Sequence, residues 1–420
     1  MNKIKKYTKN PMLIVLIIVL IFYTPQAIYS PGESRNRGIV TAIGVDKFND
    51  EYEVSLLTFI PNVNQSFKEV SSVISGKGDT FANALFNAQI AMGRRVGLAH
   101  AKTTVVSEEL MKEDIATNID YLSRVSSLPE NTVIICTDKT AKELLETSYS
   151  LEKTVGLQLE QIIGYNDQNL YVADTSLESF YKGYYSDVKA SIIGYLTVVE
   201  GSDKNQQANT EPTEQTGGDQ VDTSGSKGSG EVGGDSQSKE DKHIVNQGEA
   251  VLVKNGKFAT RLSLEQLDGI NLLNKDSIRQ NITIENVSEQ GRPVSMTYKI
   301  KSKHINMTAS FENGYPVFDA HVVLGMELVE INGNHVNLRV NTEFSHIDEE
   351  IKNKLDEKIK NQFTNAVNLL RENNADVIGL TERFIRKNKQ KYYKFIEKNG
   401  NAESFINYVN FKLNLVIRAD

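Results

Sequence analysis

TVIICT, residues Thr132–Thr137, is the stretch on which the fold turns. Apolar residues follow one another there without the polar alternation of a half-buried strand. A short run of this kind, rich in β-branched residues, reads as a strand buried on both faces. Such a strand needs a layer on each side of its sheet, and the flanking sequence supplies candidates. Upstream, HAKTTVV (His100–Val106) is a short strand. Glu108–Arg124 carries Leu110, Ile115, Ile119 and Leu122 at helical spacing. Downstream, 141–147 and 154–165 read as helices. Strands alternating with helices predict an α/β or α+β layer architecture. Cys136, the one cysteine of the 420-residue chain, sits inside this run and reads as a small buried hydrophobe.

Further out, GIVTAIGV (Gly38–Val45) and YEVSLLTFI (Tyr52–Ile60) flank the polar stretch Asp46–Glu51, which predicts a hairpin. Asp79 and Thr80 cap a helix running to about Gly93, with Phe81, Leu85, Ala88 and Met92 on one stripe. SIIGYLTVVE (Ser191–Glu200) is another strand. The composition then changes. From Gly201 to Lys242 the chain is Gly, Ser, Thr, Gln, Asp and Lys with almost no aliphatic residue. Such a segment cannot bury enough apolar surface to offset its ordering entropy, so it is expected to be a disordered insert.

Beyond it, Asn-Gly pairs at 255–256, 313–314 and 332–333 separate apolar runs, and each predicts a hairpin because both residues tolerate positive φ. Val336, Leu338, Val340, Thr342 and Phe344 alternate with polar residues, as in a one-sided antiparallel sheet. A long helix covers it, with Ile351, Leu355, Ile359, Phe363, Val367 and Leu370 as its apolar stripe, Asp348 as cap and an end near Asn373–Asn374. A second helix is expected from about Asp376 to Asn388. Val409–Arg418 alternates cleanly and reads as a final strand.

The N-terminus carries the chain's longest apolar run: Met12, Leu13, Ile14, Val15, Leu16, Ile17, Ile18, Val19, Leu20, Ile21 and Phe22, preceded by Lys3, Lys5, Lys6 and Lys9. A basic flank before a short apolar core is the layout of an export signal, and it places the rest of the chain outside the membrane. The run is read as an uncleaved anchor, with cleavage after Ala27 as the alternative. The whole is an α+β chain. A signal or anchor (1–29) is followed by two or three mixed α/β domains with antiparallel sheets covered by helices. The first spans 30–200, the insert 201–243 and the C-terminal part 244–420, with 244–290 a candidate middle domain.

The net charge of −7 argues against nucleic acid, which needs a basic face. Catalytic sets are not visible. His100, His243, His304, His321, His335 and His346 share no metal-ligand spacing, and neither HExxH nor GxSxG occurs. No cofactor, metal or catalytic residue is expected. Gly93-Arg94-Arg95 and Asp348–Glu350 read as helix ends complementing the dipole. Arg383, Arg386 and Lys387 are candidate partner contacts, because long basic side chains there are not needed by the core.

Four stretches, in order along the chain, resemble the C subunit of spore nutrient germinant receptors, the Ger(x)C family. They are RGIVTAIGVD (Arg37–Asp46); Ala99–Lys102 with Glu108–Leu110, Tyr121–Arg124 and Asn131–Ile134; GEAVLVKNGK (Gly248–Lys257); and Ala375–Gly379 with Arg386-Lys387 and Tyr392-Tyr393. Members of that family usually carry a lipid-modified cysteine at the end of the signal. Here the matching position falls near Ile28, with no cysteine, and Pro25 replaces the expected leucine. The resemblance implies a non-enzymatic subunit on the outer face of the inner spore membrane. It would act with two further receptor subunits embedded in that membrane, in a complex that senses small nutrients. A stand-alone membrane-tethered solute-binding protein is the alternative reading, and whether the chain itself contacts a nutrient stays open at this point.

Overall fold

The computed structural model describes residues 37–60, 70–124, 128–147, 159, 173, 175–200, 242–245, 249–273, 281–289, 292–332 and 347–419. The apolar run Met12–Phe22, most of the insert expected at 201–243, the alternating stretch Val336–Phe344 and nearly all of the helix expected at 154–165 lie outside them.

The chain opens with β1 (Arg37–Phe48) and β2 (Glu51–Ile60), paired antiparallel in register Phe48↔Glu51. Only Asn49 and Asp50 form the turn, at φ 48° and 66°. The hairpin is therefore tighter than the polar stretch suggests, because both residue types accept the left-handed backbone that a two-residue turn needs. β3 (Val70–Gly78) extends the sheet beside β2, and α1 (Phe81–Met92) packs on it. Thr80 caps α1 by accepting from the Asn83 N–H, and Gly93 ends it at φ 65°. A Cβ on Gly76 would stand 2.1 Å from the Ala88 nitrogen, so glycine there lets helix and strand approach.

β4 (Arg95–Gly97) and β5 (Thr103–Ser107) both run parallel to β1. β6 (Val133–Thr137) is parallel to β5, and β7 (Ala190–Tyr195) is parallel to β6. β10 (Ala250–Lys254) pairs antiparallel with β7, and β11 (Lys257–Leu262) antiparallel with β10, completing the order β11-β10-β7-β6-β5-β1-β2-β3. Asn255 and Gly256 turn that hairpin at φ 54° and 74°. The first sheet is thus mixed, with parallel strands at its centre, which corrects the expectation of antiparallel sheets for this part of the chain. It also extends beyond the low-complexity stretch as far as Leu262.

β6 is buried along its whole length, and its side chains feed two cores. Ile134 and Cys136 face α1, Leu110, Met111, Ile115 and α5 (Leu177–Tyr184). Val133 and Ile135 face α4 (Ala141–Glu146). Period-two alternation across a doubly covered sheet is why this run is apolar throughout. The helix expected over Glu108–Arg124 is broken. A 3₁₀ turn at Leu110–Lys112 precedes α2 (Ile115–Asn118) and α3 (Asp120–Arg124). Asp114 restarts the chain as a cap, accepting from the Ala116 N–H. Ile115 donates its N–H to Gly256 of the β10–β11 turn rather than to a helical carbonyl.

β8 (Thr197–Glu200) and β9 (Lys242–Val245) form a small antiparallel pair, with Glu200 opposite Lys242. After α6 (Leu264–Asn271), whose capping box joins Ser263 and Gln266, comes the second sheet. Its order is β12 (Asn281–Glu289), β13 (Arg292–Glu312), β14 (Tyr315–Asn332) and β15 (Asn410–Ala419). β13 and β14 are far longer than the apolar runs beside Asn313-Gly314 suggest. The apolar run before Asn332-Gly333 continues β14 instead of forming its own strand. Asn313 and Gly314 turn the hairpin at φ 50° and 83°. β15 pairs parallel with β14, not antiparallel, because two helices intervene and return the chain to the same end.

Those helices cover the sheet. α7 (Glu349–Glu372) begins at Asp348, which accepts from the Ile351 N–H, and buries the expected stripe with Gln362 and Ala366. It crosses α6 at Gly269, where a Cβ would lie 2.4 Å from the Gln362 carbonyl. α8 (Leu380–Asn399) starts four residues later than expected and runs eleven further. The second core also reaches Ala190, Ala250 and Leu252 of the first sheet. Strand β10 therefore serves both cores, with Val251 and Val253 on its other face.

Candidate interaction surface

The start of α8 is set by a buried carboxylate. Asp376 accepts N–H groups from Leu380 at 3.0 Å and Thr381 at 2.6 Å, and Gly379 takes φ 70° to bring them round. The helix kinks at Asn388, whose backbone leaves helical angles at φ −140° and whose amide donates to the Ala309 carbonyl at 2.7 Å. Leu380, Phe384, Tyr392 and Phe395 face inward. Phe405 anchors that side, with ring centroids 5.1 Å from Phe384 and 5.0 Å from Tyr392. Such edge-to-face contacts add to the burial of each ring.

The outward side is basic. Arg386, Lys387, Lys389, Lys391, Lys394 and Lys398 are exposed, and Arg383 is half-buried. Tyr393 stands among them, 49% exposed. Two of the three contact candidates from the sequence, Arg386 and Lys387, thus project into solvent, and Arg383 lies on the same helix. None of the seven basic groups is within ion-pair distance of a carboxylate among the described residues. Neighbouring α7 behaves differently: Lys352, Lys354 and Lys360 pair with Glu349, Glu350 and Asp356.

A second polar constellation lies where the two sheets meet. Lys254, at the end of β10, reaches the Glu403 carboxylate at 3.3 Å and donates to the Val188 carbonyl. Lys189 approaches the same carboxylate at 3.5 Å. Burial pushes the Lys254 ammonium below its ordinary range, against the pull of Glu403. Burial raises the Glu403 carboxyl, but attraction and hydrogen bonds from Lys254 and Lys189 outweigh it and leave the group below the usual glutamate range. This seam was not legible in the sequence, because its members are far apart and each alone reads as a surface charge.

In the first lobe, buried Asp46 accepts from the N–H groups of Ala141 at 2.8 Å and Lys142 at 3.1 Å. Desolvation raises its carboxyl above the ordinary range, against the lowering effect of those two donors. Arg261 pairs with Glu108 and lies 4.3 Å over the Tyr195 ring. These groups tie strands to loops. Among the described residues, no three His, Cys, Asp or Glu side chains converge as a metal site, and no helix is long and apolar enough to cross a membrane. His100, His304 and His321 are each exposed and lie on separate elements.

Comparison with known proteins gives a consistent picture. Residues 32–198 match the model of the spore germination protein N-terminal domain, and 247–418 match that of the spore germination B3/GerAC-like C-terminal domain. Spore germination protein KC of Bacillus subtilis (strain 168) is 23% identical over 216 residues, covering 48% of this chain and 53% of that protein. The putative spore germination protein YfkR of the same organism is 24% identical over 182 residues, or 40% and 45%. The chain spans about half the length of these curated relatives. The crystal structure of the GerBC protein matches with a TM-score of 0.50 over 90% of this chain and 96% of that one. At 13% identity, that likeness speaks to the fold alone.

Proposed function

The chain belongs to the GerAC-like family of spore germination proteins, and from that premise we propose that it is the non-catalytic, membrane-anchored subunit of a germinant receptor complex. Its body stands on the outer face of the inner spore membrane, and it works with two integral-membrane subunits to trigger germination when small nutrients appear. The observation that carries this reading is the pair of family matches. They run in order and together take in both sheets and the helices that cover them. The apolar run Met12–Phe22 with its lysine flank supports the anchor.

Deleting the gene should abolish a nutrient response in dormant spores, and a tagged full chain should bring down the two integral-membrane subunits. Extraction should require detergent. Arginine at Leu16 and Leu20 should release the chain, since a central charge costs ~2.5–3.5 kcal/mol on insertion scales. Normal nutrient germination without the gene, together with tight nutrient binding by the purified chain in calorimetry, would replace this reading with a stand-alone solute binder.

A further inference from the structure

We infer that the exposed side of α8 docks on the surface of an anionic phospholipid membrane. The inference rests on the proposal that the chain is held at a membrane. It names what the basic contact residues of this helix touch.

The twenty residues of α8 carry seven Lys or Arg against Glu382 and Glu397, on a chain whose net charge is −7. Past the kink at Asn388, Lys391, Lys394 and Lys398 follow at intervals of three and four, the spacing of neighbours along one side of a helix. Like charges so placed repel and weaken the helix that bears them. On α7 that repulsion is relieved by ion pairs with acids one turn away, whereas among the described residues the α8 lysines form no ion pair. The inward side of α8 is already filled by aromatic and aliphatic packing, so the fold gains nothing from the lysines. An opposing surface has to be anionic to complement them.

Three features favour lipid over an acidic protein. The basic groups from Lys389 to Lys398, past the kink, extend over about 14 Å at the helical rise, along the exposed side of the helix. Most are lysines, which act as point charges and lack the planar fork that recognises individual carboxylates. Tyr393 sits exposed in their midst, and tyrosine is a residue that settles at headgroup level. Basic segments next to an anionic leaflet are drawn to it within a Debye length.

The chain contains no tryptophan, so Tyr393→Trp provides a single reporter on this face. The full chain carrying it would be reconstituted into phosphatidylcholine vesicles, with or without phosphatidylglycerol. With phosphatidylglycerol, the indole emission should shift to the blue and be quenched by headgroup-spin-labelled lipid. Both effects should vanish in phosphatidylcholine alone, at high salt, and in the Lys391→Glu, Lys394→Glu, Lys398→Glu variant, whose melting curve verifies that it folds. Identical emission in the two vesicle types overturns the proposal. A charge-reversed chain that keeps the lipid signal but loses co-purifying proteins also overturns it and points to an acidic protein partner. Failure of the tether shows separately, as release from phosphatidylcholine vesicles on flotation. Released chain that still floats with phosphatidylglycerol vesicles supports docking, and released chain that does not overturns it.

Discussion

The Lys254 ammonium lies 3.3 Å from the Glu403 carboxylate, and the two residues belong to different lobes. Lys254 ends β10 of the first, while Glu403 stands in the 3₁₀ turn Ala402–Tyr408 that leads into β15 of the second. Both are largely shielded, with side-chain exposures of 12% and 26%. The pair therefore fastens the two lobes where their apolar cores already touch.

Removing one partner from such a pair leaves the other charge desolvated and unmet. Glu403→Gln is expected to cost about 1–3 kcal/mol in urea unfolding, the scale of a hydrogen bond to a charged group. Combining it with Lys254→Met should cost less than the sum of the two single changes. Strict additivity would show that the contact carries no coupling.

The same carboxylate predicts acid sensitivity. Its folded-state pKa lies below the unfolded value, so in mild acid the unfolded chain binds more protons than the native one. The stabilisation is fully present above the ordinary glutamate pKa and is lost as pH falls through the lower, native one. Unfolding free energies measured from neutral pH down to about 3 should fall less steeply for Glu403→Gln than for the unaltered chain. Parallel curves would sink the assignment.

Asp46 offers a second test of buried polar pairing. It satisfies two backbone N–H groups at the start of α4, and Ala141 and Lys142 have no substitute if it goes. Asp46→Ala should cost about 1–3 kcal/mol, the penalty for orphaned buried donors added to a lost cap. Exposed Glu51, at the start of β2, should tolerate replacement by alanine within about 0.5 kcal/mol. Equal losses at the two positions would contradict the capping role.

The elements that were legible in the sequence announce themselves through local chemistry. The Asn-Gly turns at 255–256 and 313–314, the Thr80 and Asp348 caps, and the α7 stripe all act within a few residues. Those that were not depend on distant partners. β13 was largely hidden because lysines, serines and a histidine occupy its exposed positions, and only the β14 register reveals its inward residues Met296, Tyr298 and Ile300. β3 hides behind serines, two of which, Ser72 and Ser75, meet Thr58 and Ser55 of β2 through hydrogen bonds. The break between Glu108 and Arg124 is set by Gly256, more than a hundred residues away, which no local periodicity encodes. The basic face of α8 was glimpsed only at Arg383, Arg386 and Lys387. Its extent rests on Asp376 and Gly379 fixing where the helix starts, and on the helix continuing past Asn388.

The final strand tests how burial grades along an edge. Among the described residues β15 pairs on one side only, with β14, so alternation does not amount to full burial. Ile417 is 6% exposed, whereas Leu413 and Leu415 are half-buried. Ile417→Ala is expected to cost about 2–4 kcal/mol, Leu413→Ala less, and Asn414→Ala least, since Asn414 is exposed and its amide donates to the half-buried Asp319. An Asn414 effect equal to that of Leu413 would overturn the assignment of faces.

The low-complexity stretch yields the sharpest prediction, because its two ends are neighbours. Glu200 closes β8, Lys242 opens β9, and the two sit opposite each other in the antiparallel ladder. A two-residue Asn-Gly turn can span such a pair without disturbing the strands. Replacing residues 201–241 by Asn-Gly should leave the fold intact. It should also leave the melting temperature unchanged or higher, because closing a long loop costs (3/2)RT ln n and each halving returns only about 0.6 kcal/mol. Val198 and Ile244, buried beneath this pair, provide the control: Ile244→Ala should destabilise by about 2–4 kcal/mol whether or not the stretch is present. A fall in melting temperature on the replacement, with Ile244→Ala silent, would mean that residues 201–241 themselves hold the lobe together.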